Sequence, residues 1–530
     1  AALRLAVEAG DARREAACNF TVGSLYYEAG EVRQAVESLE QSLVLRRKAR
    51  DKVGLAEALN KLGLTYCDIG YDLRAIDYFE QSLVICEDCA DLRGQAVCLQ
   101  HLGNVFKMQK DHALAADFFQ RCLAVYAKVG DRQGAADCHD SLGLVYYTRG
   151  DFRRATQHYE QSLAIRSALG DHAAESECYK CLGTAYIRMD DSDRAVASFR
   201  RCLDLHRQLE NPAGEVDALL SLGLAHFKAG NNPASVENLE RALALFEAMA
   251  EDDPVATANG RSLCLDHLGN VCSKMGRAER AVAHYEASLA LKRELGDHNG
   301  EARCVVRIGM ELLGLGQLRP AQARFEEALR VFERLQDDGG MGVCYENLGD
   351  TLMKMGEIRR ALGMYERCLP LKVDTLDKVG EAQCLDNMGL AHYSLGELRR
   401  AAECYEQSLA VWKGEGDKQP LMACFESLGG VWFQLGEHVR SIDAYVQYLT
   451  LSQEVGDGAA DQAILLRLGV SNAAIGELPT ALEFLEQALA AFAEVGDLKG
   501  RAQALQHMGS VLARMGGGGA GPRPPPAPAP

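Results

Sequence analysis

The chain has 530 residues, a formal net charge of −18 from 57 basic and 75 acidic side chains, and 18 cysteines. An acidic balance of this size disfavours nucleic acid, which needs a basic groove, and anionic membranes, so partners are expected to be neutral or basic. No apolar run of about 18 residues is present to span a bilayer, and no signal-peptide pattern opens the sequence.

Glycine sets a ruler along the chain. Gly23, Gly63, Gly103, Gly143, Gly183, Gly223, Gly269, Gly309, Gly349, Gly389, Gly429, Gly469 and Gly509 stand 40 residues apart, except for one step of 46. A fixed period of this length means one supersecondary unit stacked on copies of itself. In chain order, residues 1–10 are expected to be the tail of a preceding hairpin, because Leu3 and Leu5 match second-helix positions. Residues 11–249 hold the first six repeats, 250–260 form a joint that carries the six extra residues, and 257–516 hold the later repeats, ending in a lone first helix. The Gly/Pro/Ala-rich segment 517–530 is expected to be disordered.

One copy, residues 131–170, shows the unit. Ala135, Cys138, Leu142, Val145 and Tyr146 recur at three- and four-residue steps, the apolar stripe of a helix with Asp131 as its N-cap. Gly150 ends this helix A, Asp151 caps the next, and Ala155, Tyr159, Leu163 and Ile165 form the stripe of helix B. Loops this short force neighbouring helices to run antiparallel.

His139, Leu142, Gly143, Tyr146, Gly150, Ala155, Tyr159, Ser162 and Leu163 together resemble the tetratricopeptide repeat, and the resemblance extends over residues 1–516. The 40-residue period and Gly-Asp junctions such as Gly10-Asp11, Gly296-Asp297, Gly416-Asp417, Gly456-Asp457 and Gly496-Asp497 are similar to the long-helix subclass of Pins-like and rapsyn-like repeats. The resemblance implies an all-α, right-handed superhelical α-solenoid that acts as a non-catalytic adaptor. The alternatives are an architectural component of cilia or cytoskeleton, and the regulatory arm of an enzyme whose catalytic domain lies outside the chain.

Other columns follow the same register. Ala35, Ala75, Ala115, Ala155, Ala195, Ala281, Ala321, Ala361, Ala401 and Ala481, with Ser235 and Ser441, are expected where helices cross. Cys18, Cys98, Cys138, Cys178, Cys264, Cys304, Cys344, Cys384 and Cys424 alternate with Ala58, Ala218 and Ala504, so they read as small buried hydrophobes, not metal ligands. Unpaired thiols in this number fit a reducing compartment, hence a cytoplasmic location, cytoskeletal or ciliary places included. His101, His267 and His507 share a column but lie too far apart to ligate together. No phosphate-binding loop, His-Glu-x-x-His or Gly-x-Ser-x-Gly motif is present, so neither catalysis nor a cofactor is expected.

The family resemblance carries partner binding onto helix A, at positions six and three before the ruler glycine and one, four and five after it. Here these columns give Glu57, Asn60, Asn104, Asp137, Asp140, Glu177, Lys180, Asp217, Asp266, Arg303, Glu346, Asp350, Asp386 and Glu426, a mainly acidic set expected to face solvent and to hold a protein or peptide segment. Two places break the pattern. Pro370 falls inside a helix B, where a kink or early stop is expected, and Lys110 and Asp190 replace turn glycines, where strain or another turn geometry is expected.

Overall fold

The computed structural model describes residues 11–249, 253–455 and 462–516; the expected tails at 1–10 and 517–530, part of the joint, and the Gly456-Asp457 junction lie outside them. The described residues form 25 α-helices and no strand. The chain divides into two compact units, Ala1–Val271 and Cys272–Pro530, the division falling within helix Pro254–Lys274. Each unit is an all-α solenoid of antiparallel hairpins.

Capping fixes the helix boundaries. Asp131 opens helix Arg132–Thr148 by accepting the Gly134 N–H at 3.0 Å, and Asp151 opens Phe152–Leu169 by accepting the Arg154 N–H at 3.2 Å. Each such cap satisfies a donor with no partner inside its helix. Gly150, at φ 82°, supplies the left-handed turn between the two helices. Lys110 and Asp190 adopt the same left-handed backbone, as do Arg50, Ala90, Glu210, Gln336 and Leu376, so substitution of the turn glycine leaves the turn unchanged. The cost is about 1 kcal/mol per site.

The two proline-marked irregularities are milder than the sequence implies. Helix Ile358–Asp374 runs through Pro370 with the same 17 residues as its counterparts, and the early stop does not occur. The ring lies on the exposed face, where water can take up the carbonyl it deprives of a partner. At the 46-residue step, residues 254–260 are helical, and helix Pro254–Lys274 has 21 residues where other first helices have 17 or 18.

Packing explains the ruler. A Cβ added to Gly143 would lie 2.5 Å from Cε1 of Tyr159, and the same clash with an aromatic ring recurs between Gly63 and Phe79, Gly103 and Phe119, and Gly349 and Tyr365. The ring of helix B therefore lies flat on the backbone of helix A, and only glycine leaves room for it. Every alanine of the crossing column, with Ser235 and Ser441, is fully buried. The cysteine column is buried from Cys98 to Cys424, while Cys18 in the first hairpin is half-buried. Hydrogen bonds stitch each hairpin internally, from Ser42 to the Ala16 carbonyl at 2.8 Å and from Ser82 to that of Ala56 at 2.8 Å. The apolar stripes are offset from the expected ones: Ala136 is fully buried where Ala135 is not, and Ser162 and Arg166 are buried where Leu163 and Ile165 are only half-buried.

Burial also makes this fold acid-sensitive. His101 stacks on Phe79 with ring centroids 5.1 Å apart, and burial pulls its pKa down from 6.5 to about 4. Because the folded state binds the proton later than the unfolded chain, the stability this site contributes is complete above about pH 6.5 and is lost as pH falls toward 4. At most about 3 kcal/mol is involved. His101→Gln should flatten the decline in thermal stability between pH 6.5 and 4; an unchanged profile would exclude His101 as its source.

Candidate peptide-binding face

In both units the first helices of successive hairpins touch one another, Lys52–Asp68 against Leu92–Met108 in the first and His298–Gly314 against Asp338–Lys354 in the second. Helix A therefore presents a continuous wall within each unit, and the acidic columns run along it. Glu57, Glu177, Asp217, Arg303 and Glu426 are exposed, whereas Asn60, Asn104, Asp137, Asp140, Lys180, Asp266, Glu346, Asp350 and Asp386 are half-buried.

Much of this set does not stand free in solvent, contrary to the expectation from the sequence. Arg166, whose side chain is 7% exposed, reaches from helix B to Asp137 at 2.5 Å, Asp140 at 3.0 Å and Asp171, the next N-cap, at 3.4 Å. Burial works against its charge, but hydrogen bonds from Asp140 and Asp137 outweigh this and hold its pKa above the ordinary value. Lys372 repeats the arrangement with Glu346 at 3.2 Å and Asp377 at 3.0 Å. Trp412 Nε1 donates to Asp386 at 3.0 Å and Tyr365 Oη to Asp350 at 2.6 Å; burial raises the pKa of both carboxyls. Asn104 accepts from Lys107 at 3.0 Å, and Glu57 pairs with Arg46 at 3.1 Å. Lys180 lies between Glu177 at 3.9 Å and Asp217 at 3.5 Å, and these two acids remain 63% and 60% exposed. The acidity of the face is thus strongest around Glu177 and Asp217 and largely neutralised around Asp137, Asp140 and Glu346.

The neutralising residues belong to a column that the sequence reading passed over. Arg46, Cys86, Tyr126, Arg166 and His206 stand 40 apart on successive second helices, and Lys292, Phe332, Lys372 and Trp412 continue the register after the longer step. A second glycine column accompanies them: a Cβ on Gly54, Gly134, Gly214, Gly340 or Gly380 would strike Arg46, Tyr126, His206, Phe332 or Lys372 within 2.7 Å. This column matches the helix-A residue three before the ruler glycine. Tyr126 Oη donates to Gln100 at 3.1 Å, Arg166, Lys372 and Trp412 meet Asp140, Glu346 and Asp386, and the apolar members Phe332 and Phe492 pack in clusters containing Val306 and Leu466. The signal that would have revealed it is the second glycine ruler at Gly54, Gly94, Gly134, Gly214, Gly300, Gly340, Gly380 and Gly500.

Stacked antiparallel hairpins with a ruler glycine under an aromatic ring define the class of helical-repeat solenoids. The tetratricopeptide repeat profile matches residues 54–128, 95–168, 136–208, 173–248, 261–334 and 340–414, and a second tetratricopeptide profile matches 387–454. The chain belongs to the tetratricopeptide repeat family. No curated protein matches it. Among solved structures it is similar to BtubC (BKLC) from P. vanneervenii, at 20% identity over 42% of this chain and 92% of that one with a TM-score of 0.39. It is also similar to the quorum sensor NprR from B. thuringiensis, at 14% identity over 69% of this chain and 99% of that one with a TM-score of 0.42. Among the described residues no helix is long and apolar enough to cross a membrane.

Proposed function

We propose that the chain is a non-catalytic protein-interaction scaffold of the long-helix tetratricopeptide subclass that holds neutral to basic peptide segments along its helix-A wall. The observation that supports this most directly is the exposed acidic pair Glu177 and Asp217, each six residues before a ruler glycine on adjacent first helices and bridged only by Lys180. Surface bridges of this kind contribute little to stability, so both carboxylates can turn to a basic peptide at small cost. The 18 free thiols fit work in a reducing compartment such as the cytoplasm.

Selection of a random peptide display library on the purified chain should enrich Lys- and Arg-containing peptides, with binding that weakens as salt rises. Glu177→Lys combined with Asp217→Lys should lose those peptides while keeping the native helix content. Glu240→Lys, an exposed change on a second helix, should retain them. Glu160 would be a poor control because Tyr186 Oη donates to it at 2.8 Å. Enrichment of acidic peptides, or equal binding by the double variant, would overturn this reading.

A further inference from the structure

One hairpin breaks the matching between the two columns. In Lys52–Asp68 and Asp72–Asp88 the residue three before the ruler glycine is Asn60, and the helix-B residue that should serve it is Cys86, too short to do so. Asn60 Oδ1 is buried and has no hydrogen-bond partner in the chain. Beside it, open to the helix-A face, lies a cavity of about 330 Å³ lined by Val53, Ala56, Asn60, Cys86 and Val97, with Glu57, Asp91 and Arg93 also contributing. An unpaired buried acceptor costs about 1 to 3 kcal/mol, and the cavity adds lost packing to that.

The next hairpin shows what fits such a space. There an aromatic ring fills the same position in the register: Tyr126 lies against Gly134, and its hydroxyl donates to the amide oxygen of Gln100, the counterpart of Asn60. Where the acceptor is a carboxylate, the column supplies Arg166, Lys372 or Trp412; the neutral amide is paired with tyrosine. The charges around the Cys86 cavity do not call for a cation, since Glu57 is already held by Arg46 and Arg93 lines the cavity too.

We propose that the Cys86 cavity is a seat for a tyrosine side chain of a bound partner peptide, whose ring lies between Val53 and Val97 and whose hydroxyl donates to Asn60 Oδ1. This rests on the reading that the helix-A wall takes a peptide and adds a specificity position to it. Small probes examine the seat without any partner protein, so the result is separable from that of the library selection.

Ligand-observed saturation-transfer NMR on the full chain, with N-acetyl-tyrosine amide, N-acetyl-phenylalanine amide and N-acetyl-arginine amide, provides the test. The tyrosine probe should bind about tenfold more tightly than the phenylalanine probe, the value of one hydrogen bond to a buried acceptor. Cys86→Tyr, which fills the seat from within, should abolish its binding. Asn60→Leu, which leaves the cavity open, should remove the preference for tyrosine over phenylalanine, and it carries the test should Cys86→Tyr fail to fold. Absence of transfer to the tyrosine probe at millimolar concentration, preference for the arginine probe, or undiminished binding by a folded Cys86→Tyr variant would each overturn the proposal.

Discussion

Gly143→Leu should melt the middle of the first unit without melting its ends. The new side chain would be driven into the Tyr159 ring, which a single added Cβ already meets at 2.5 Å, and overpacking at so tight a contact costs about 3 kcal/mol or more. Because each hairpin bears on its neighbours alone, the loss should stay local. Hydrogen exchange should show amides of 131–170 and the adjoining helices exchanging faster, while those near Lys52–Asp68 stay protected. A uniform loss from one end to the other would mean that the unit unfolds as one body.

Arg166→Met should have the second largest effect. The substitution keeps much of the buried stem but removes the one cation shared by Asp137, Asp140 and Asp171. Breaking a fully buried pair costs about 3 to 5 kcal/mol; these carboxylates keep about a third of their surface in water, so about 2 kcal/mol is expected. Adding Asp140→Asn should recover part of that loss by relieving the remaining repulsion, so the double variant should be more stable than the sum of the single changes predicts. Local exchange of Phe152–Leu169 measures it. A cost under about 0.5 kcal/mol, the range of an ordinary surface change, would show that Arg166 contributes no more than an exposed pair.

Hairpin boundaries, capping aspartates and the crossing column were legible because each depends on one small residue with a strict local requirement: glycine under a ring, alanine at a crossing, aspartate at an N-cap. The interaction face was less legible. Asp137 and Asp140 read as solvated because their neutraliser, Arg166, lies on another helix more than 25 residues away, and an arginine in an amphipathic helix ordinarily reads as surface. The half-buried Leu163 and Ile165 beside a buried Arg166 show the cause: a guanidinium surrounded by carboxylates can be buried where an unpaired one could not. Only register across the repeats exposes such a column, since its members differ in charge, size and polarity while sharing a position and a facing glycine. Pro370 was misjudged for the opposite reason, because its effect depends on which side of the helix it occupies, and that side is exposed.

The matched columns have a consequence for the lineage of such a chain. Tyr126 with Gln100, Arg166 with Asp140, Lys372 with Glu346 and Trp412 with Asp386 are each pairs within a single hairpin. A duplication or deletion of one whole 40-residue hairpin therefore carries both halves of its polar pair together and leaves no orphaned charge at the new junction. Exchange of a single helix would separate them. Such a protein can lengthen or shorten its binding wall by whole units while each unit's interior chemistry is inherited intact, and selection is left to act mainly on the outward-facing residues.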